Sequence, residues 1–303
     1  MSSTPSEDTR LRVACVPWQV RQVSDFEAFA GRVRFFVETA VADYHAEILV
    51  FPEFFTVPLL TTREPMNALE GIRFLAREFT APLVGLFSGL AAEKGVHLVA
   101  GSHPVEQADG SIRNVSMIFR PDGSHVSQPK LHITPWEKET WSIAGGDSLV
   151  IVETAKAKFG VLICYDVEFP EAVRALADAG MELLLVPYCT DNRQGWLRVT
   201  KCAAARAIEN QIYVATAGIV GNLEGVPGMN VHFGRAAVYT PSDVGFARDG
   251  VEGESDANLE TLLVANLDFA PLRRSRSAGT VTPMNDRRSD LFEPTVRAQV
   301  IRG

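Results

Sequence analysis

Cysteine is scarce in this chain, and what there is does not pair. Cys15, Cys164, Cys189 and Cys202 lie in apolar or helical contexts with no short paired spacing. That excludes a disulfide framework and a zinc-ligand pattern, and it predicts a reducing, cytoplasmic setting with no metal site. A basic excess is also missing. Lys and Arg number 29 against 37 Asp and Glu, a formal net charge of −8, so nonspecific nucleic-acid binding is not the expected task. No apolar run reaches the length of a membrane-spanning helix, and no membrane partner is expected. Residues 1–10 are read as a disordered lead-in: Met1 to Thr9 is Ser-rich, carries Glu7 and Asp8 and lacks the hydrophobic segment of a secretory signal. No linker, repeat or low-complexity run divides the rest of the chain. Core material is ample, 46% hydrophobic residues, enough for one large domain over 11–270.

The patterning within that domain alternates. Residues 11–16 and 47–51 read as strands. Between them Ser24 is expected to cap a helix, with Glu27 three residues on as a capping box and Phe26, Phe29, Val33, Phe36 and Ala40 as its apolar stripe. A helix is expected over 67–79, and Pro82 is expected to separate it from a further short helix or strand over 83–92. Strands follow at 96–102 and 114–119, with a Pro121-Asp122-Gly123 turn after the second. Residues 149–153 and 159–164 flank a polar connector like a hairpin. A helix opening at Pro170 and stopping at Gly180, strands at 183–186, 212–217, 236–239 and 262–266, and a helix over 196–210 complete the pattern. Alternation at both ends with adjacent strands between them predicts an α/β fold with buried, mixed sheets. Residues 271–303 differ. Arg273, Arg274, Arg276, Arg287 and Arg288 lie among Ser, Pro and Asn, as a solvated tail or as a C-terminal arm packed on a partner subunit.

One short segment carries a nucleophile. The apolar strand Val161-Leu162-Ile163 delivers Cys164 to its carboxyl end just before a helix. The thiolate is the reactive form, and a helix N-terminus or a nearby cation lowers a thiol pKa. Two more ionisable residues follow apolar or extended stretches: Glu53 in Phe51-Pro52-Glu53-Phe54-Phe55, and Lys130 in Gln128-Pro129-Lys130-Leu131-His132. Together they supply what acyl transfer from an amide needs. A thiol attacks the carbonyl, and a carboxylate whose pKa is lifted by apolar burial takes the proton, returns it to the leaving amine and then activates water. A cation and the backbone N–H of Tyr165 face the oxyanion. No cofactor is required. Taken singly, each residue also fits a bland role: a capping carboxylate, a solvated lysine, an inert buried cysteine.

The three segments resemble the glutamate, lysine and cysteine motifs of the nitrilase superfamily of carbon–nitrogen hydrolases, over roughly residues 11–268. The cysteine motif is the closest, with both Cys164-Tyr165-Asp166 and Phe169-Pro170-Glu171 present. The resemblance implies an α-β-β-α sandwich with two mixed sheets, a Glu53–Lys130–Cys164 triad, and a homodimer or larger homo-oligomer with a C-terminal arm at the interface. It also implies a second glutamate after the lysine. Here Glu139 fits better than Glu137 by its distance to Gly146-Asp147, with Glu137 kept as the alternative.

Cys164-Tyr165-Asp166 is more like the amidase and carbamoylase branches than true nitrilases, which usually carry Cys-Trp-Glu. Many of those branches have a basic residue where this chain has Glu168. With Thr134-Pro135-Trp136, the segment resembles a subgroup of amidohydrolases sometimes fused to an acetyltransferase domain, for which this chain has no room. The implied function is hydrolysis of a small linear amide or N-carbamoyl compound. The other readings are a non-catalytic ligand- or partner-binding member of the same fold, and a true nitrilase. Tyr188, Thr190 and Cys189, after another strand, are candidates for pocket walls, with Cys189 a poor rival nucleophile. A Cys–His dyad through His132 or His103 is the rival chemistry. Asp166 and Arg206 read as structural ion pairs or caps.

Overall fold

A computed structural model of the chain describes residues 9–291 and 299–302, with side chains over 9–291. Along the chain, β1 (Arg10–Cys15) and β2 (Trp18–Val20) lead into α1 (Phe26–Ala42), and β3 (Ile48–Val50) precedes α2 (Ala68–Lys94). Then come β4 (His97–Val99), β5 (His103–Glu106), β6 (Ile112–Phe119), β7 (His125–Pro129), α3 (Pro135–Trp141) and β8 (Ile143–Ala144). The second half runs β9 (Val150–Glu153), β10 (Lys158–Val161), α4 (Pro170–Asp178), β11 (Leu183–Tyr188), α5 (Arg193–Asn210) and β12 (Tyr213–Gly221). It closes with β13 (Ala237–Tyr239), β14 (Val251–Glu254), β15 (Leu263–Asp268), α6 (Phe269–Ala278) and β16 (Gln299–Arg302).

The strands form two mixed sheets. The first runs β15-β1-β3-β4-β6-β5, with β7 and β8 also on β6; the second runs β14-β13-β12-β11-β10-β9-β16, with β2 on β12. Side-chain alternation, the period of two of any strand, sorts the core into layers. Val13, Cys15, Ile48 and Val50 of the first sheet meet Phe159, Val161, Leu183 and Leu185 of the second. Their neighbours in sequence face outward: Ala14 and Leu49 pack with Phe29, Val33, Ile72 and Phe87 of α1 and α2, and Leu184 and Val186 with Leu176, Val199 and Ala203 of α4 and α5. The layers are therefore helix, sheet, sheet, helix, the expected α-β-β-α sandwich.

Two local expectations change. Asp25, not Ser24, caps α1, its Oδ1 accepting from Ala28 N at 2.8 Å. Pro82 does not end a helix: α2 runs unbroken through it. Proline removes one backbone donor there, but Ile72, Leu75, Ala76, Leu83, Phe87, Leu90 and Ala91 form one continuous buried face, and packing on the sheet outweighs the local defect. Beyond Lys130, Thr134 and Glu137 form a reciprocal capping box that starts α3. The C-terminal arm is folded back on its own chain. Arg273 Nε donates to Glu182 (2.7 Å), Arg276 to the Gln211 and Met181 carbonyls (2.9 and 2.8 Å), and Arg287 to Asp178 (3.0 Å), while β16 pairs in parallel with β9. The expected lead-in lies outside the described residues except for Thr9, bonded to Asp268 (2.9 Å), and Arg10, which opens β1.

Candidate active site

Glu53 stands just past β3, between Phe51 and Phe54, and is 2% exposed. A tight crossing sets its position. A Cβ at Gly101, where φ is +45°, would lie 1.9 Å from the Pro52 carbonyl oxygen, so only glycine admits this approach. Phe54 adopts a positive φ of 54° and donates its N–H to Ser102 Oγ at 3.2 Å.

Lys130 follows β7 and is 1% exposed. Its Nζ donates to Glu53 Oε1 at 2.8 Å and to Glu137 Oε2 at 2.7 Å. Asn114, inside β6, donates to both carboxylates, at 3.0 Å to Glu53 and 3.3 Å to Glu137. Glu137 in turn accepts from Thr134 N (3.0 Å) and Oγ1 (2.7 Å). The carboxylate at Lys130 is thus Glu137. Glu139, the expected choice, is exposed. Within α3 a two-residue step rotates a side chain to the far face, a distinction that the spacing to Gly146-Asp147 does not record.

Cys164 opens a short 3-10 turn (Cys164–Glu168) after β10. Its φ of +48° is left-handed, a strained setting for a non-glycine residue. The first bond of that turn runs from Asp166 N to Ile163 O (3.0 Å), which leaves the Cys164 and Tyr165 N–H groups ahead of it, free of helical partners. The thiol donates to the Cys189 carbonyl at 3.7 Å, and Cys189 N donates to Glu53 Oε2 at 2.9 Å. A buried Asp166 ties the turn to the lysine loop. It accepts from Ile163 N (3.2 Å), Leu131 N (3.1 Å) and His132 N (2.7 Å), and from His132 Nδ1 (2.9 Å).

The electrostatics follow from burial. Desolvation raises the Glu53 carboxyl above its ordinary range, with Lys130 opposing. Burial alone would lower the Lys130 ammonium, but Glu53, Glu137 and Cys164 together hold it well above its usual value. The Cys164 thiol is pushed well up by burial and by Glu53, with Lys130 opposing. This overturns the expectation of a thiol pKa lowered by helix and cation: Lys130 is bracketed by two carboxylates, so a thiolate would add a further buried negative charge.

These groups line a cavity of about 570 Å³, walled also by Trp136, Trp141, Tyr165, Thr190 and Cys189. Thr190, a candidate wall, lines it and donates its hydroxyl to Phe233 O (2.7 Å). Tyr188 does not line it. It is fully buried behind β11, its hydroxyl donating to Arg235 O (2.5 Å) and accepting from Arg235 N (2.8 Å), because residue alternation turns position 188 outward while 189 faces the cavity. The two candidate dyad histidines are engaged elsewhere. His103 lies between the Thr56 and Thr80 hydroxyls (2.9 and 3.1 Å), and His132 stacks flat on Phe169 with ring centroids 3.6 Å apart. Among the described residues no cluster of His, Cys, Asp and Glu is arranged to hold a metal ion. Asn114, Asp166 and Thr134 were not expected at the site. For Asn114 the signal was slight: asparagine is disfavoured in strands, and here it stands beside Arg113 at the start of the expected strand.

Comparison with known proteins gives the family. The carbon–nitrogen hydrolase family model matches residues 12–276. A probable hydrolase of Bacillus subtilis, YhcX, is 40% identical over 93% of this chain; the chain spans about half, 54%, of that relative's length. Omega-amidase NIT2-A of Xenopus laevis is 30% identical over 82% of this chain and 85% of its own. Among solved structures, Saccharomyces cerevisiae Nit3, a member of branch 10 of the nitrilase superfamily, superposes with a TM-score of 0.75 at 26% identity, covering 92% of this chain and 97% of that one. With its sandwich fold and matched motifs, this chain belongs to the carbon–nitrogen hydrolase family of the nitrilase superfamily.

Proposed function

We propose that the protein hydrolyses the carbon–nitrogen bond of a small linear amide or N-carbamoyl compound through a thioester on Cys164. The observation that carries this reading is the buried contact of Lys130 Nζ with Glu53 at 2.8 Å in the cavity that the Cys164 thiol lines. Cys164 Sγ attacks the carbonyl carbon as its proton passes to Glu53, and the oxyanion is met by the Lys130 ammonium and the Tyr165 N–H. Glu53 then gives the proton to the departing nitrogen as the carbon–nitrogen bond breaks, releasing ammonia or an amine. Water attacks the thioester, loses its proton to Glu53, and the carbon–sulfur bond breaks to restore the thiol. The raised carboxyl suits a group that both takes and returns a proton. Glu137, Asn114 and Asp166 act as positioning residues, holding Lys130, Glu53 and the cysteine turn in register.

Hydrolysis of an amide is supported by relatives named omega-amidases. The setting is cytoplasmic on this reading, and the working form is a homodimer or larger homo-oligomer, which light scattering on the full chain will test: an active monomer would reject it. The function itself is tested by an ammonia-release screen over amides, ω-amides, N-carbamoyl amines and nitriles with Cys164→Ala as control. Turnover that survives Cys164→Ala would refute the thioester route, and a nitrile as the sole substrate would favour a true nitrilase.

A further inference from the structure

Several cavity-lining groups are left unused by this chemistry. Glu168 sits at the far end of the 3-10 turn that Cys164 opens. Its backbone is fixed: Arg206 donates to the Val167 and Glu168 carbonyls at 3.0 and 3.1 Å. Its carboxylate, 18% exposed, meets Arg198 only loosely, at 3.6 Å, and Arg198 is 63% exposed. A guanidinium so open to water is screened and offsets little of a carboxylate's burial cost. Burial accordingly raises the Glu168 carboxyl despite Arg198. Asp191 lines the same cavity. With Glu53 and Glu137, four carboxylates stand against two cations, Lys130 and Arg198, and Lys130 is already held between two of the four. His232 is lowered by burial and adds no positive charge at neutral pH. Trp136, 41% exposed, and Tyr165 add aromatic faces, which attract cations.

From this arrangement we infer that the cavity selects amides bearing a positively charged amine, with Glu168 receiving the ammonium and Asp191 and the Trp136 ring supporting it. The inference deepens the proposed amide hydrolysis and rests on it. The turn also sets a length. Four residues of 3-10 rise separate Cys164 from Glu168, about 8 Å along the axis, so the amine and the scissile carbonyl belong on one short alkyl spacer.

The test uses the full chain carrying Cys164→Ala, so that ligands bind without being consumed, and three amides of matched length: pentanamide, its ω-amino derivative, and glutaramate. By calorimetry the ω-amino amide should bind at least about tenfold tighter than pentanamide, with glutaramate weakest, and Glu168→Gln should cut the amino-to-neutral ratio by roughly tenfold, the scale of a charge-assisted hydrogen bond. Glu168→Asp should keep the preference. No measurable binding, equal binding of all three, or a ratio unmoved by Glu168→Gln overturns the inference. Tighter glutaramate binding that is lost in Arg198→Gln also overturns it, by assigning the cavity to anions. Ammonia release by the unsubstituted chain is read separately: the expected binding order without ammonia release would sink the hydrolase reading while leaving cation selection standing.

Discussion

Asp166 Oδ1 accepts the backbone N–H of His132 at 2.7 Å across 34 residues of sequence. The same carboxylate accepts Ile163 N and Leu131 N, so one buried side chain joins the segment carrying Cys164 to the segment carrying Lys130.

Asp166→Asn keeps the shape but turns one acceptor oxygen into a donor facing backbone N–H groups. A buried polar mismatch of this kind costs about 1–3 kcal/mol. Both a lower unfolding midpoint in denaturant and a fall in kcat of tenfold or more are expected. A variant with full activity would show that this carboxylate does not govern the site.

Glu137 and Glu139 separate cleanly by substitution. Glu137→Gln weakens the hold on Lys130 and should lower kcat/KM by at least about tenfold, the scale of a lost charged hydrogen bond. Glu139→Gln, on the exposed face of α3, should leave it within twofold. Steady-state kinetics on the two variants decides. The reverse order would restore the sequence-based choice.

The pH dependence follows from the direction of two shifts. Glu53 must be ionised to accept the thiol proton, and burial raises its pKa above 4.5, so the acid limb of kcat/KM should lie above the ordinary carboxylate range. For stability the sign is the opposite of a paired surface carboxylate: the folded chain holds this proton to higher pH than the unfolded chain, so the group costs stability as pH rises through that window. Because the thiol is raised as well, iodoacetamide labelling of Cys164 should climb through neutral pH. A rate plateau on the acid side of neutrality would reveal a stored thiolate instead.

His103 predicts acid sensitivity. Burial lowers it from 6.5 to about 3. Below 6.5 the unfolded chain binds a proton that the folded chain refuses, so stability is lost progressively as pH falls from 6.5 towards 3. Thermal melts across that range should show a steeper decline for the unsubstituted protein than for His103→Gln, even though the variant starts lower at neutral pH. Parallel declines would remove His103 as the cause.

The proposed chemistry calls for no Lewis acid, so EDTA should leave the rate unchanged. Loss of activity on chelation with recovery on added zinc would reject that expectation.

Much of this protein is written locally in its sequence. The apolar runs of β3 and β11 marked buried strands, and a strand's period of two divides their side chains between two faces, but only the packed fold decided which face meets the other sheet and which meets helices. The position of Cys164 after an apolar strand, with Pro170 opening a helix beyond it, was legible, and so were Glu53 and Lys130 as motif residues. What only tertiary structure decided concerns groups whose partners are distant in sequence. α2 passes through Pro82 because a continuous buried face outweighs one missing hydrogen bond. Glu137 displaces Glu139 because the capping box begins α3 at Thr134 and turns one carboxylate inward. Tyr188 leaves the cavity for the Arg235 backbone. The thiol is raised rather than lowered, since its sign depends on how many carboxylates share Lys130 in a buried setting, and no local pattern records the dielectric of a site whose Glu53 and Lys130 stand 77 residues apart in sequence.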